Sequence, residues 1–518
     1  MITAAPDLQA YTVVTFAPVQ GFISSSRKLR DLYGGSLLLS YLARAILIDA
    51  EQRLGAGCAI SPALVNSSRG TPNQLVIQGN YRKGHGKDAL QQAWGSLLVG
   101  CQRWLETNLA DQFHFDWAST WDQCRLHSWE FFHAQGPSIS TARANLRDAK
   151  QARDWQAPNW TGESSTLSGA GAVCRPQMGA VLDPRTLPTG ALNAEASRFA
   201  EALASTSLLG EAFIGKGEQL TLPELVKRLV TYPPIAEQVF RGETASALLP
   251  QSFKEIAESD RLVWFMADGD AVGTYLSKLN GPAHTSEAEA LQRFSGAMRQ
   301  WAQGLYSEVP RLMAGKATVV YAGGDDLLGA LHDSSASTPE RGLGAADLFH
   351  WLQLFPNQVW SGHGQQGLTV SMGLVWTRGQ VPQREALAQV RAAEQAAKRA
   401  GRNRFALRLL FRSGHHREWI CPWDLLPQLL TAYQDREQRQ GSQALWRHLS
   451  DDLDWLAARQ ALQLETATTL RAAYFGDRLA PPQQHRTPSP PPSLSIHQPL
   501  AEWMAAMASV LAFLSKAS

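Results

Sequence analysis

RLVWFMADGD, residues 261–270, and ATVVYAGGDDLLGAL, residues 317–331, decide the fold of this chain. The first is an apolar run over 261–267 suited to a buried strand, and it ends in the acidic turn Asp268-Gly269-Asp270. The second is a pair of apolar runs, 317–322 and 327–331, separated by Gly323-Gly324-Asp325-Asp326. Such a tetrad between two strands predicts a β-hairpin with carboxylates at its tip. Between the two stretches Leu291, Phe294, Met298, Trp301 and Leu305 recur at spacings of three and four, which lines one face of a helix. Downstream the pattern predicts a helix over 343–355, an alternating strand over 368–376, an Ala-rich helix over 384–400 and a strand over 405–411. The order is β-α-β-β-α-β with extra helices, a split ferredoxin-like arrangement.

A weaker copy of this order precedes it. A strand is expected over 11–16, a helix over 36–54, strands near 62–65 and 74–78, a helix over 87–109 and a strand over 129–133. Its hairpin lacks the acidic tip. The fold class is therefore α+β, with two ferredoxin-like palm domains carrying helical insertions and a C-terminal helical domain. The expected boundaries are 1–139 for the first palm, 140–255 for a mixed, partly helical linking domain, 256–415 for the second palm and 416–518 for the helical domain. Trp446, Leu449, Leu453 and Leu456 set the helical spacing of the last region, and a Pro-rich stretch over 480–492 interrupts it as an exposed loop or linker.

With 518 residues and 44% hydrophobic content, the chain is long enough for several cores. The N-terminus has no basic stretch leading into an apolar core and cleavage site, and the apolar stretch 503–514 is too short to cross a bilayer. A cytoplasmic protein without a membrane partner is expected. Five cysteines, Cys58, Cys101, Cys124, Cys174 and Cys421, form no C-x-x-C pair, so spacing predicts neither a disulfide framework nor a zinc cluster. The formal net charge of +2 leaves nucleic-acid contact to local clusters.

Either acidic motif alone reads as a turn, because Gly and Asp favour turns. Both together, each directly after an apolar strand, point to a metal site. Joining two nucleotides requires neutralising a triphosphate and acidifying the attacking hydroxyl. Two divalent cations roughly 4 Å apart do both, and Mg²⁺ or Mn²⁺ prefers carboxylate oxygens. Asp268, Asp270, Asp325 and Asp326 are the candidate ligands, Asp325 and Asp326 being the catalytic pair. Gly269, Gly323 and Gly324 leave room for a nucleotide.

The segments 265–279, 319–331 and 368–401, followed by FRSG at 411–414, resemble the second palm of the large polymerase-like subunit of type III CRISPR effector complexes. The segment FAPVQGFISSSRKLRDLYGGSLLLSYL, 16–42, resembles the start of the first palm in that family. The resemblance implies a subunit that sits on CRISPR RNA with other effector subunits and, when target RNA pairs with the guide, converts ATP into cyclic oligoadenylates. A non-catalytic scaffold of the same complex and a stand-alone cyclase are the alternatives. Carried over by position, Asp268 and Asp325 are metal ligands assisted by Asp326 and Asp270. Lys398 and Arg402 resemble basic residues that face the triphosphate, and read equally as a solvated helix end. Ser25 and Ser26, in a Ser-Ser-Ser-Arg-Lys turn, stand either as a helix cap or as the contact for a second ATP. That second ATP would be the acceptor of one reaction shared by the two palms.

The chain begins directly at the first palm, so the His-Asp nuclease domain of many relatives is not expected, and neither is zinc. Arg143, Arg147, Lys150 and Arg153 recur at spacings of three and four, as a solvated helix face or as phosphate contacts to guide or target RNA. The helical region from about 419 is a candidate docking surface for other subunits, and its apolar face on Trp446, Leu449 and Leu453 reads equally as packing within the bundle.

Overall fold

The computed structural model describes residues 10–516 apart from 64–72, 154–158, 161, 181–185, 187, 189, 206–212, 216, 241–255, 257–258, 280–285, 334–341, 361–367, 380, 442–443 and 477–498. The Pro-rich stretch read as a linker lies outside the described residues. The chain forms two compact units, Met1–Gln251 with Leu279–Gln300, and Ser252–Lys278 with Trp301–Ser518. The described residues between 140 and 240 therefore pack into the first unit instead of forming a unit of their own. The reason is a shared core, in which Phe199, Leu225, Val226 and Leu229 pack with Val14, Phe16, Leu38 and Leu97.

In the first unit β1 (Tyr11–Ala17), β2 (Ala59–Ser61), β3 (Gln74–Gln78) and β4 (Glu130–Gly136) form one antiparallel sheet in the order β2-β3-β1-β4. Val14, Phe16, Leu75 and Ile77 alternate into the core shared with helices Leu29–Leu54 and Lys83–Leu109. The first of these helices starts seven residues earlier than its periodicity predicts, because the Asp31 carboxylate accepts from the Arg27 and Lys28 amides at 2.9 Å each. Its Gly34 lies against helix Leu222–Leu229, where a Cβ would come within 1.9 Å of the Lys227 carbonyl oxygen. By length and composition Leu29–Leu54 is apolar enough to cross a membrane, but 78% of its apolar window is buried among its own neighbours, as in a core helix.

The second unit holds six strands, β5 (Arg261–Gly269), β6 (Ala317–Gly323), β7 (Asp326–Leu331), β8 (Val370–Arg378), β9 (Arg404–Leu410) and β10 (His416–Pro422), in the order β10-β9-β8-β5-β7-β6. Its β8-β5-β7-β6 part repeats the β4-β1-β3-β2 order of the first sheet, so both expected palms are present. β5 is central and antiparallel to both neighbours, while β8 and β9 are parallel and joined by the crossover helix Gln383–Arg399.

β10 falls in the region expected to be helical from residue 416. It is a strand because Trp419 and Cys421 are buried alternately and its backbone pairs with β9 over seven residues. Helices follow at Leu425–Ala432, Trp446–Ala458, Leu464–Phe475 and Leu500–Leu514. Trp446, Leu449 and Leu453 are buried, with Trp446 stacked on Tyr433 at 3.7 Å between ring centroids. Those three side chains pack inside the unit, the second of the two readings their spacing allowed.

Candidate active site

Backbone register brings the acidic residues together. β5 pairs with β7 at Ala267↔Leu327, and the β6–β7 hairpin closes at Gly323↔Asp326. The β5 end at Asp268 therefore meets the hairpin tip. The turn is Gly324-Asp325, with Gly324 at φ +63°, a conformation glycine adopts without a Cβ penalty. Gly269 serves the tip directly, since a Cβ there would lie 2.9 Å from Asp325 Cβ and 3.1 Å from its Oδ2.

The carboxyls crowd one another. Lost hydration raises the Asp325 pKa to about 6, and the charge of Asp268 adds to it. Asp326 is exposed as a residue, but its carboxyl sits among protein atoms. That desolvation, followed by the hydrogen bond and charge of Asp268, raises its pKa well above the usual carboxylate range.

A cation answers this charge. The helix Gln383–Arg399 lies close on the sheet because β8 has Gly373 beneath it, where a Cβ would meet Glu394 N and Val390 O at 2.3 Å. Ala393, Ala396 and Ala397 pack against Ala406 for the same reason. The Lys398 ammonium consequently reaches Asp268 Oδ2 and, at 2.6 Å, Glu394 Oε1. Burial alone lowers the lysine pKa, but the hydrogen bonds to Asp268 and Glu394 raise it above its ordinary value. Among the described residues no three His, Cys, Asp or Glu side chains are already arranged as a metal cage. The donor set still suits hard divalent ions, with carboxylate oxygens in excess and one ammonium in the place of a cation.

Asp270 stands apart from this cluster. Its Oδ1 accepts from Ser371 Oγ at 2.6 Å, and its Oδ2 from Thr369 Oγ1 at 2.8 Å and from the Asn403 amide at 2.9 Å. Arg402 lies in the turn after the helix, at φ +62°. Glu394, Thr369 and Ser371 were not singled out from sequence. The Glu394–Lys398 spacing of four on a helix was the available signal for the first.

The other expected residues lie in the first unit. Ser25 Oγ donates to Gly21 O at 2.9 Å and Ser26 Oγ to Ile23 O at 2.6 Å, while the next two amides are taken by Asp31. The turn thus closes helix Gln20–Ser24 and opens the next helix. Arg143, Arg147 and Lys150 do share helix Ile139–Gln151, with Arg147 and Lys150 exposed and Arg143 half-buried. Arg153 lies past its end and pairs with Glu130 at 2.6 Å.

The raised carboxyls give a pH dependence. A divalent cation needs them ionised, so binding strengthens as pH rises through about 6 and releases protons. Mn²⁺ titration of the full chain followed by electron paramagnetic resonance is expected to show at least about tenfold tighter binding at about pH 7 than at about pH 5. Asp325→Asn is expected to flatten that profile. For the metal-free fold the sign is opposite. The folded carboxyl holds its proton more tightly than the unfolded chain does, so its stabilising contribution is present below the unfolded value of 3.8 and is lost as pH rises through about 6.

Two protein families match the sequence: Cas10/Cmr2, second palm domain, over residues 261–406, and CRISPR-associated protein Cmr2, N-terminal, over 11–79. No curated protein matches it significantly. Among solved structures, a Type III-B Cmr-beta cryo-EM structure in the apo state aligns at 10% identity and TM-score 0.58, covering 98% of this chain and 82% of the other. The Type III-B Cmr-beta structure bound to cognate target RNA aligns at 9% identity and TM-score 0.56, covering 98% and 83%. These alignments extend the shared fold over nearly the whole chain. The acidic hairpin thus lies inside the stretch that matches the second palm domain of Cas10/Cmr2, and β1, β2 and β3 lie inside the stretch that matches the N-terminal part of Cmr2.

Proposed function

We propose that the second unit is a metal-dependent nucleotidyltransferase joining ATP into cyclic oligoadenylates, and that the chain acts as the large subunit of a type III CRISPR effector complex. What supports this reading is the meeting of Asp268, Asp325 and Asp326 at the β5 end and the β6–β7 tip, with Lys398 against them. In the reaction a 3′-hydroxyl oxygen bonds to an α-phosphorus, the α–β bridging bond breaks, pyrophosphate leaves and the hydroxyl proton goes to solvent. Two Mg²⁺ or Mn²⁺ ions on Asp268, Asp325 and Asp326 would supply the positive charge for that displacement. Lys398 and Arg402, one helical turn apart in sequence, face the phosphates. Gly323 and Gly324 keep side chains out of the nucleotide's path. Both serine hydroxyls donate to backbone carbonyls, but Ser26 is buried and Ser25 only half-buried, so of the two Ser25 alone is retained as a nucleotide contact.

Guide RNA, target RNA and further effector subunits are the proposed partners. One structural relative was solved with cognate target RNA, and exposed Arg147 and Lys150 beside Arg143 suit phosphate contact. The test is chromatography of ATP reactions with assembled complex, with and without matching target RNA. Product only with target RNA and a divalent ion is expected. No product under any condition makes the chain a scaffold, and product from the chain alone makes it a stand-alone cyclase.

A further inference from the structure

We infer that Asp270 is a positioning residue that clamps the turn carrying Arg402, and not a metal ligand. The inference rests on the nucleotide-binding role proposed above for the helix end at Lys398 and Arg402. Helix Gln383–Arg399 ends in three successive residues in the left-handed region, Gly401 at φ +118°, Arg402 at +62° and Asn403 at +50°. Glycine takes this conformation freely, but Arg and Asn do so at a cost that surrounding contacts must offset.

Asp270 provides those contacts. Its Oδ2 accepts from the Asn403 amide at 2.9 Å, holding the turn from the sheet side. The carboxylate also accepts from Ser371 Oγ and Thr369 Oγ1, and the Asp270 backbone is fixed by its amide, which donates to Thr369 O at 2.8 Å. Buried Arg404 completes the arrangement, donating from Nε to Arg402 O at 2.7 Å. The first two residues of the Asp268-Gly269-Asp270 turn face the acidic tip, and the third reaches across β8 to the turn that presents the basic residues. One short turn thus sets the spacing between the carboxylates and the cations, which must hold opposite ends of one triphosphate. Both oxygens of Asp270 already accept hydrogen bonds, Oδ1 from Ser371 and Oδ2 from Thr369 and Asn403, so an ion at this carboxylate would have to compete with contacts that hold the turn.

Asp270→Ala and Asp270→Asn in the full chain separate the possibilities. Asparagine keeps an oxygen for the Asn403 amide but lacks the charge a metal ligand needs. Expected for Asp270→Ala are a folded chain, Mn²⁺ affinity within about twofold of the unsubstituted protein, binding of a non-hydrolysable ATP analogue weaker by about tenfold, and fast amide exchange at Asn403. Asp270→Asn is expected to restore analogue binding and slow exchange. Loss of Mn²⁺ binding in both variants overturns the inference in favour of a metal ligand. Unchanged analogue binding in Asp270→Ala overturns it in favour of a purely local role. If the unsubstituted chain binds neither Mn²⁺ nor the analogue, the nucleotidyltransferase reading itself fails, and the positioning role falls with it.

Discussion

Asp325→Asn combined with Asp326→Asn abolishes ATP turnover by the target-bound complex, lowering it at least about a thousandfold, while the complex still assembles. The loss follows from chemistry. Asparagine cannot supply the anionic oxygens that hold divalent cations, and without them neither the triphosphate charge nor the attacking hydroxyl is managed. The retained assembly follows from the electrostatics of the tip. Burial and mutual repulsion already push both carboxyls toward the neutral form, so neutral side chains relieve a strain in the metal-free fold. The variant's denaturant midpoint is therefore expected to equal or slightly exceed that of the unsubstituted chain. Turnover above a tenth of the original, in complex shown to be fully assembled, would contradict the assignment of the tip as the metal site.

Arg228→Ala has the largest expected effect on stability. The guanidinium and the Asp31 carboxylate are both fully buried and paired through two bonds, Nε to Oδ1 at 2.8 Å and Nη2 to Oδ2 at 2.9 Å. Nη1 donates to Glu218 Oε2 at 2.7 Å and to Phe213 O at 3.2 Å. Removing the arginine leaves Asp31 buried without its counter-charge, a loss of about 3–5 kcal/mol read from urea unfolding of the full chain. Asp31→Leu with Arg228→Met removes both charges and should recover much of that loss. A cost below about 1 kcal/mol for Arg228→Ala would show that water or a rearranged lysine replaces it. Burial raises the Asp31 pKa, but the Arg228 charge and hydrogen bonds outweigh it and leave the value below the ordinary one. The pair's contribution is accordingly present above the unfolded carboxyl pKa of 3.8 and fades as pH falls through the lower folded value.

Much of this architecture was legible in the sequence where a single element carries its own signal. Apolar runs flanking Gly and Asp announced β5, β6 and β7, spacings of three and four announced helix Glu287–Leu312, and an Ala-rich composition announced helix Gln383–Arg399. β10 was not legible, because HREWICP opens on charged and polar residues and ends in a proline, and only pairing with β9 makes it a strand. The start of helix Leu29–Leu54 was missed since Asp31 in its first turn reaches back to the Arg27 and Lys28 amides just before it, and no preceding Ser, Thr, Asp or Asn caps it. Asp268 and Asp270 look equivalent in a DGD turn. Their separation into one residue of the acidic cluster and one held by Thr369, Ser371 and Asn403 depends on strand register across some hundred residues, which no local pattern encodes.

The pairing of Asp31 with Arg228 also has a consequence in time. The two residues are 197 positions apart in the chain. A ribosome adding about 5–20 residues per second delivers the arginine roughly 10–40 s after the aspartate. During that interval the first sheet and its long helix exist without the charge that lets Asp31 enter the interior. Nascent chains halted before residue 222 should therefore be cut readily by protease between residues 20 and 55, and chains halted well past residue 240 should resist. If both lengths resist equally, the N-terminal sheet closes on its own and the late arginine merely reinforces it.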